Sequence, residues 1–449
     1  MIKCRFAPSP TGFLHIGNVR TALFNYLFAR HNGGEFHLRI EDTDKERSTK
    51  QAIDVIFDGL NTFGLEYDGE VVYQSNNSER HKEVAVALLN SGKAYKCFHT
   101  SDELDEIRKK NKGKVTSKWR NVDSSLHPNL PYVIRIKSPT DGCNTIHDMI
   151  QRDVTINNKE LDDMIILRSD GSPVYQLAVV VDDHDAGITH VIRGDDHLTN
   201  TFRQNMIYDA MNWDKPVYGH LPLIMDSNGH KVSKRTGAAS IVDFFDMGYL
   251  PITMMNYLVK LGWSDEQEFF TKEELINKFD IDKVGSSPSR LDMKKLNFIN
   301  GHYISETDDD TLVSLFYKEY ICNTPKDVIK TLMPSLKVRS KTIDEIRSMV
   351  EYLDFDWWVT NREDVPSKID NLKTIISKKV FDDILEFSNN EELMNKLKKL
   401  SEDNDIKLKD VAAFVRYTIC GKAISPPLDV VIKSLDKENI KERYDILYG

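Results

Sequence analysis

An α/β fold with a doubly wound parallel sheet, followed by an all-helical C-terminal third, is predicted from three observations. A short apolar strand ends near Phe6 and Ala7, and Val19, Ala22, Leu23, Tyr26 and Leu27 then recur at three- and four-residue steps on one helix face. A Gly33-Gly34 turn leads into a second strand over Phe36–Ile40, which completes a βαβ unit. Beyond about residue 310 strand signals fade, while Leu312, Leu315 and Phe316, then Ile343, Ile346, Met349, Val350 and Leu353, keep helical spacing.

Pro8, Pro10 and Gly12 stiffen the loop between the first strand and its helix. A further helix is expected from about 50 to 64. From roughly 81 to 190 the pattern is less regular, with a basic helix near 101–112, an alternating strand over Tyr132–Ile136 and a turn at Gly171-Ser172-Pro173. Val179-Val180-Val181 and Val191-Ile192 read as strands that return the chain to the parallel sheet. A site at the C-terminal ends of such strands follows from doubly wound geometry.

The 449 residues are 40% hydrophobic and 29% charged, the composition of a soluble protein of several domains. No run of eighteen apolar residues is present, so no membrane span is expected, and Met-Ile-Lys-Cys-Arg lacks the apolar stretch of a signal peptide. Five scattered cysteines, at 4, 97, 143, 322 and 420, point to a reducing, cytoplasmic setting without a disulfide framework. The net charge of −10 excludes a uniformly basic surface but leaves local patches, such as Arg108-Lys109-Lys110 with Lys112, Lys114, Lys118 and Arg120. Alone, that patch reads as a solvated helix end.

Two segments carry chemistry. His15-Ile16-Gly17 falls at a helix start, where free N–H groups and the dipole bind anions, and Gly17 keeps the backbone open to a flat ring. Lys231-Val232-Ser233-Lys234-Arg235 follows the turn Asp226–His230 and supplies cations that can close over a triphosphate as pyrophosphate leaves. Arg5 and Arg193 can each clamp a carboxylate bidentately, Glu41 can pair with an ammonium, and Tyr175 and Ser9 can offer hydroxyls. An Arg5–Glu41 structural pair and a core Tyr175 are the alternatives.

His15-Ile16-Gly17-Asn18 resembles the "HIGH" signature of class I aminoacyl-tRNA synthetases, and Lys231–Arg235 resembles their "KMSKS" loop. Arg5–Gly12, Leu38–Asp44 and Val191–His197 are similar to the glutamyl-tRNA synthetase branch, over residues 1 to about 265. Asn18 replaces the second histidine of the signature. The first motif reads Ala7-Pro8-Ser9-Pro10-Thr11-Gly12 rather than the Pro-Pro-Glu-Pro-Asn-Gly of glutamine-specific relatives, which favours glutamate. In the C-terminal third, Arg339, Lys341 and Thr342, and Thr418, Gly421 and Lys422, are also suggestive.

The resemblance implies a Rossmann-like catalytic domain over 1–80 and 190–230 and an inserted acceptor-end-binding domain over 81–189. It implies a loop and stem-contact region over 231–310 and a helical anticodon-binding domain over 311–449. It places His15, Lys231 and Lys234 as catalytic groups and Arg5, Ala7, Ser9, Glu41, Tyr175 and Arg193 around glutamate. His15, Gly17, Asn18, Asp196, Ile224, Lys231, Val232, Ser233, Lys234 and Arg235 would line the ATP site. The expected activity is ATP-dependent attachment of L-glutamate to tRNA-Glu through a glutamyl-adenylate, with Mg²⁺ on the phosphates, by a monomer. The motifs leave tRNA-Gln open as a second substrate. An RNA-binding paralogue without catalysis is the alternative. Some family members hold zinc in the insertion; Cys97, His99, Cys143 and His147 match no trusted ligand spacing, and no metal site is expected.

Overall fold

The computed structural model describes residues 1–449 apart from 11, 13, 45–47, 111–114, 116, 231, 233–239 and 321–323, and the side chain of Glu319. The chain divides into two compact units, Met1–Asp243 with Met254–Asp292, and Phe244–Thr253 with Met293–Gly449.

In the first unit β1 (Lys3–Phe6) precedes α1 (Ile16–His31), and β2 (Glu35–Ile40) runs parallel to β1, as the βαβ reading predicts. Next come α2 (Lys50–Thr62), capped by the Thr49 hydroxyl, and β3 (Val72–Tyr73), parallel to β2. The chain continues through α3 (Ser78–Asn90), β4 (Ala94–Cys97), α4 (Ser101–Lys110) and β5 (Val133–Ile136). Then follow β6 (Cys143–Asp148), β7 (Arg152–Asn157), β8 (Ile165–Leu167) and α5 (Tyr175–Asp185). Last are β9 (His190–Gly194), α6 (Leu198–Met211), β10 (Val217–Leu221) and β11 (Ile224–Met225).

Strands β4, β5 and β8 form a small antiparallel sheet, whereas β6 and β7 join β10 and β9 in the order β7-β6-β10-β9. Residues 143–157 thus share a sheet with strands from outside the 81–189 segment. The Thr189 N–H donates to the Lys3 carbonyl (3.1 Å) and the Lys3 N–H to the Thr189 hydroxyl (2.8 Å), which sets β1 beside β9. The parallel order reverses there: β2 lies on one side of β1, β10 on the far side of β9.

Val179-Val180-Val181 is not a strand. It lies inside α5, where Leu177 through Asp183 are all buried. A short β-branched run buried on every side has no period to separate strand from helix, and packing overrode the weaker helix propensity of valine. Helix α1 is likewise buried beyond its predicted face. Its Arg20 reaches the carbonyls of Leu261 and Pro222, and its Asn25 reaches that of Ile192.

All regular elements described in the second unit after Met293 are helical. Leu312, Phe316, Ile329, Ile346, Met349 and Val350 form one core there, and Phe381, Leu397, Phe414, Ile419 and Tyr444 a second. Thr342 caps the helix Ile343–Val350, and Gly421 ends Leu408–Cys420 at φ 68°, where a Cβ would lie 2.7 Å from the Arg362 Cβ. Arg443, fully buried, donates to the carbonyls of Ile419 and Tyr352 and to the Asn439 side chain. Arg443→Met should therefore destabilise this unit by about 2–4 kcal/mol, because two buried carbonyls lose their donor. Calorimetry of the full chain reads this as a downshift of one transition. No described helix is long and apolar enough to cross a membrane.

Candidate active site

A cavity of about 530 Å³ opens where the C-terminal ends of β1 and β9 face the first turn of α1. This is the reversal point of the sheet, where crevices form in doubly wound folds. Arg5, Ala7, Ser9, His15, Gly17 and Asn18 line it from the first βα connection. Glu41 comes from the end of β2, Tyr175 from the start of α5, Arg193 and Asp196 from the end of β9, and Ile224 and Val232 from beyond β10. Lys231, Ser233, Lys234 and Arg235 lie outside the described residues, as does part of the basic patch (111–114).

His15 is the N-cap of α1. The Gly17 N–H donates to its Nδ1 (3.0 Å), so Nδ1 carries no proton and Nε2–H donates to the Val232 carbonyl (3.1 Å). A Cβ on Gly17 would sit 3.3 Å from that ring nitrogen, closer than ordinary packing allows. Ser240 forms an isolated antiparallel bridge with His15, and the Val232 N–H donates to the Ile224 carbonyl. The two distant signature segments therefore meet, through residues that flank 233–239.

Arg5 does not pair with Glu41. Its Nε and Nη2 engage both oxygens of Asp183 (3.1 and 3.3 Å), while Arg39 bridges Asp183 (2.5 Å) and Glu41 (3.1 Å). All four residues are buried. Burial works against the Asp183 charge, yet Arg39 and Arg5 hold its carboxyl below the usual aspartate range. Burial outweighs the same cations at Glu41 and pushes its carboxyl up, so a ligand cation there would restore its charge. Asp183 and Arg39 were not anticipated. The signal was an Asp182-Asp183 pair closing an apolar run, since buried carboxylates demand cations.

Arg193 is similarly engaged. Nη2 donates to Thr201 (2.6 Å) and Gln204 (2.7 Å), Nε donates to His220 Nε2 (3.3 Å), and the buried Nη1 has no hydrogen-bond partner among the described residues. Protein acceptors already hold the Nε/Nη2 edge of both arginines, so a two-pronged clamp on a carboxylate would have to involve Nη1. Tyr175 donates its hydroxyl to His197 Nδ1 (3.2 Å), which also accepts from the Asn200 amide, leaving the phenol oxygen as an acceptor. Burial, helped by nearby Arg193, lowers the His197 pKa to about 4 and keeps that ring neutral. Burial also raises the Tyr175 pKa to about 12. A Cβ at Gly194 would lie 2.6 Å from the Asp196 Oδ1, so a larger residue there would turn that carboxylate aside. Among the described residues no group of three His, Cys, Asp or Glu side chains is placed to hold a metal ion.

The helix start at His15, the loop at Val232 and the buried arginines thus line one crevice at the reversal of the sheet. Residues 1–298 match the family described as "tRNA synthetases class I (E and Q), catalytic domain", and 311–447 match "Anticodon binding domain". The chain is 47% identical to glutamate–tRNA ligase 2 of Zymomonas mobilis, over 99% of this chain and 96% of that protein. It is 46% identical to glutamate–tRNA ligase 1 of Gluconobacter oxydans, over 98% and 97% respectively. A crystal structure of a glutamate–tRNA ligase from Elizabethkingia meningosepticum in complex with its amino acid superposes with TM-score 0.84 at 28% identity, covering 100% of this chain and 99% of that one. The chain belongs to the glutamate–tRNA ligase family.

Proposed function

We propose that this chain joins L-glutamate to the 3′ end of tRNA-Glu in two steps. An oxygen of the glutamate α-carboxylate attacks the α-phosphorus of ATP, forming glutamyl-adenylate and releasing pyrophosphate. The terminal ribose 2′-hydroxyl of tRNA then attacks the activated carbonyl, and AMP departs. Such chemistry needs positioning and charge stabilisation rather than a protein nucleophile. The carrying observation is the single cavity that joins the start of α1 to Arg5 and Arg193.

In this reading Arg5 and Arg193 meet carboxylate oxygens, Glu41 meets the α-ammonium, and Ala7, Ser9 and Tyr175 shape the remaining wall. His15, Gly17, Asn18, Asp196, Ile224 and Val232 surround the nucleotide, and the motif assigns Lys231, Ser233, Lys234 and Arg235 to its phosphates. Mg²⁺ accompanies those phosphates as part of the nucleotide substrate. Residues 81–189 hold the acceptor end, 231–310 contact the stem, and 311–449 read the anticodon by stacking and base-edge contacts.

Glutamate-dependent ATP–pyrophosphate exchange with tRNA present tests the assignment. Robust exchange with glutamate and none with glutamine is expected; the reverse pattern overturns the substrate. Acylating purified tRNA-Glu and tRNA-Gln side by side decides whether both are charged. A paralogue without catalysis would bind tRNA and consume no ATP.

A further inference from the structure

Three neighbouring strands end in one row of polar side chains below the cavity. Asp148 closes β6, His220 lies on β10, and Arg193 lies on β9, with His220 and Arg193 register partners. Asp148 and Arg193 are nearly buried and His220 is fully so. The guanidinium Nε–H of Arg193 can only donate, so His220 Nε2 is an acceptor and the ring proton sits on Nδ1. That Nδ1–H donates to the Asp148 carboxylate (2.6 Å), and Asp148 also accepts from the backbone of Ile150, Gln151 and His220.

We propose that the Asp148–His220 pair orients Arg193 so that only its Nη1 faces the ligand, which makes His220 a positioning residue for carboxylate recognition. The inference rests on the reading of Arg193 as a carboxylate-binding group. The donor inventory carries it. Two of three guanidinium nitrogens are spent on His220, Thr201 and Gln204, and the third, Nη1, is buried with no hydrogen-bond partner among the described residues, on a side chain that lines the cavity. Thr201 also bonds His220 Nε2 (2.9 Å), which braces the same edge. The carboxylate fixes the tautomer and leaves electron density on the nitrogen that meets the cation, an outer-shell arrangement that sets geometry without touching ligand. A protonated imidazole, or a lysine at this place, would turn an N–H toward Arg193 and expel it.

The test uses the full-length protein with His220→Leu, His220→Gln and Arg193→Lys. His220→Leu should raise the KM for glutamate about tenfold while leaving the KM for ATP within about twofold, the size of one charge-assisted hydrogen bond. His220→Gln, whose amide oxygen reaches the place of Nε2, should recover to within about threefold of the native value. Equal KM values for the two His220 variants, or a parallel rise in the KM for ATP, would overturn the proposal. Arg193→Lys separates it from the reading beneath. An unchanged glutamate KM there refutes Arg193 as a ligand group, whereas a large rise with no effect of His220→Leu refutes only the positioning role. Nitrogen-15 NMR of the unsubstituted protein should show the Nδ1–H tautomer at His220, and finding Nε2–H instead would also overturn the proposal, whatever the variants' folding.

Discussion

His15→Asn should leave the melting temperature almost unchanged and lower glutamate-dependent pyrophosphate exchange by about 10²–10³-fold. Asparagine is among the best N-cap residues, so its carbonyl can still accept the Gly17 N–H and close the first turn of α1. It lacks the Nε2–H that now reaches the Val232 carbonyl at 3.1 Å. In the proposed reaction that donor serves the phosphate oxygens as charge builds. Removing one such preorganised donor costs about 3–4 kcal/mol in the barrier. Exchange within threefold of the native rate would reduce His15 to a cap and remove it from the chemistry.

Asp183→Ala should be the most destabilising substitution in the first unit, at about 3–5 kcal/mol. It leaves the guanidiniums of Arg5 and Arg39 buried, with Glu41 as the remaining ion-pair partner of Arg39 among the described residues. The folded carboxyl lies below its unfolded value, so its stabilisation is complete above the ordinary aspartate range and lost as pH falls through the folded value. The native melting temperature should accordingly fall between about pH 5 and pH 3 more steeply than that of the variant. Glutamate binding should weaken with it, since Arg5 loses the partner that aims it. Melting curves across that pH range check the first part, and a glutamate titration checks the second. Identical acid limbs in the two proteins would show that Asp183 carries no such linkage.

Legibility from sequence followed the range of the interactions involved. The strand–helix–strand opening was readable because each cue is local: prolines, paired glycines and apolar residues at fixed steps. The helical C-terminal third was readable for the same reason, with Ile343, Ile346, Met349 and Val350 all buried where their spacing put them. Arg5, Glu41, Tyr175 and Arg193 could be singled out by their chemistry and their flanks. Their partners could not. Asp183 is 178 residues from Arg5, and His220 is 27 from Arg193, and nothing local announces that either pair meets. The misread Val179–Val181 has a related cause, because a segment enclosed on all sides loses the polar face from which a period is read.

One helix supplies a wall of this pocket and, behind it, the carboxylate that holds Arg5. Tyr175 stands at the first residue of α5 and Asp183 eight residues on, about 12 Å along the axis. The element is therefore a caliper whose jaws are a phenol and a carboxylate. Inserting or deleting one residue between them would swing one jaw by about 100° relative to the other, so no slip in register could spare both. Substrate preference in this fold is consequently easier to retune by exchanging the side chain at the Tyr175 jaw than by altering the length of the span between the two.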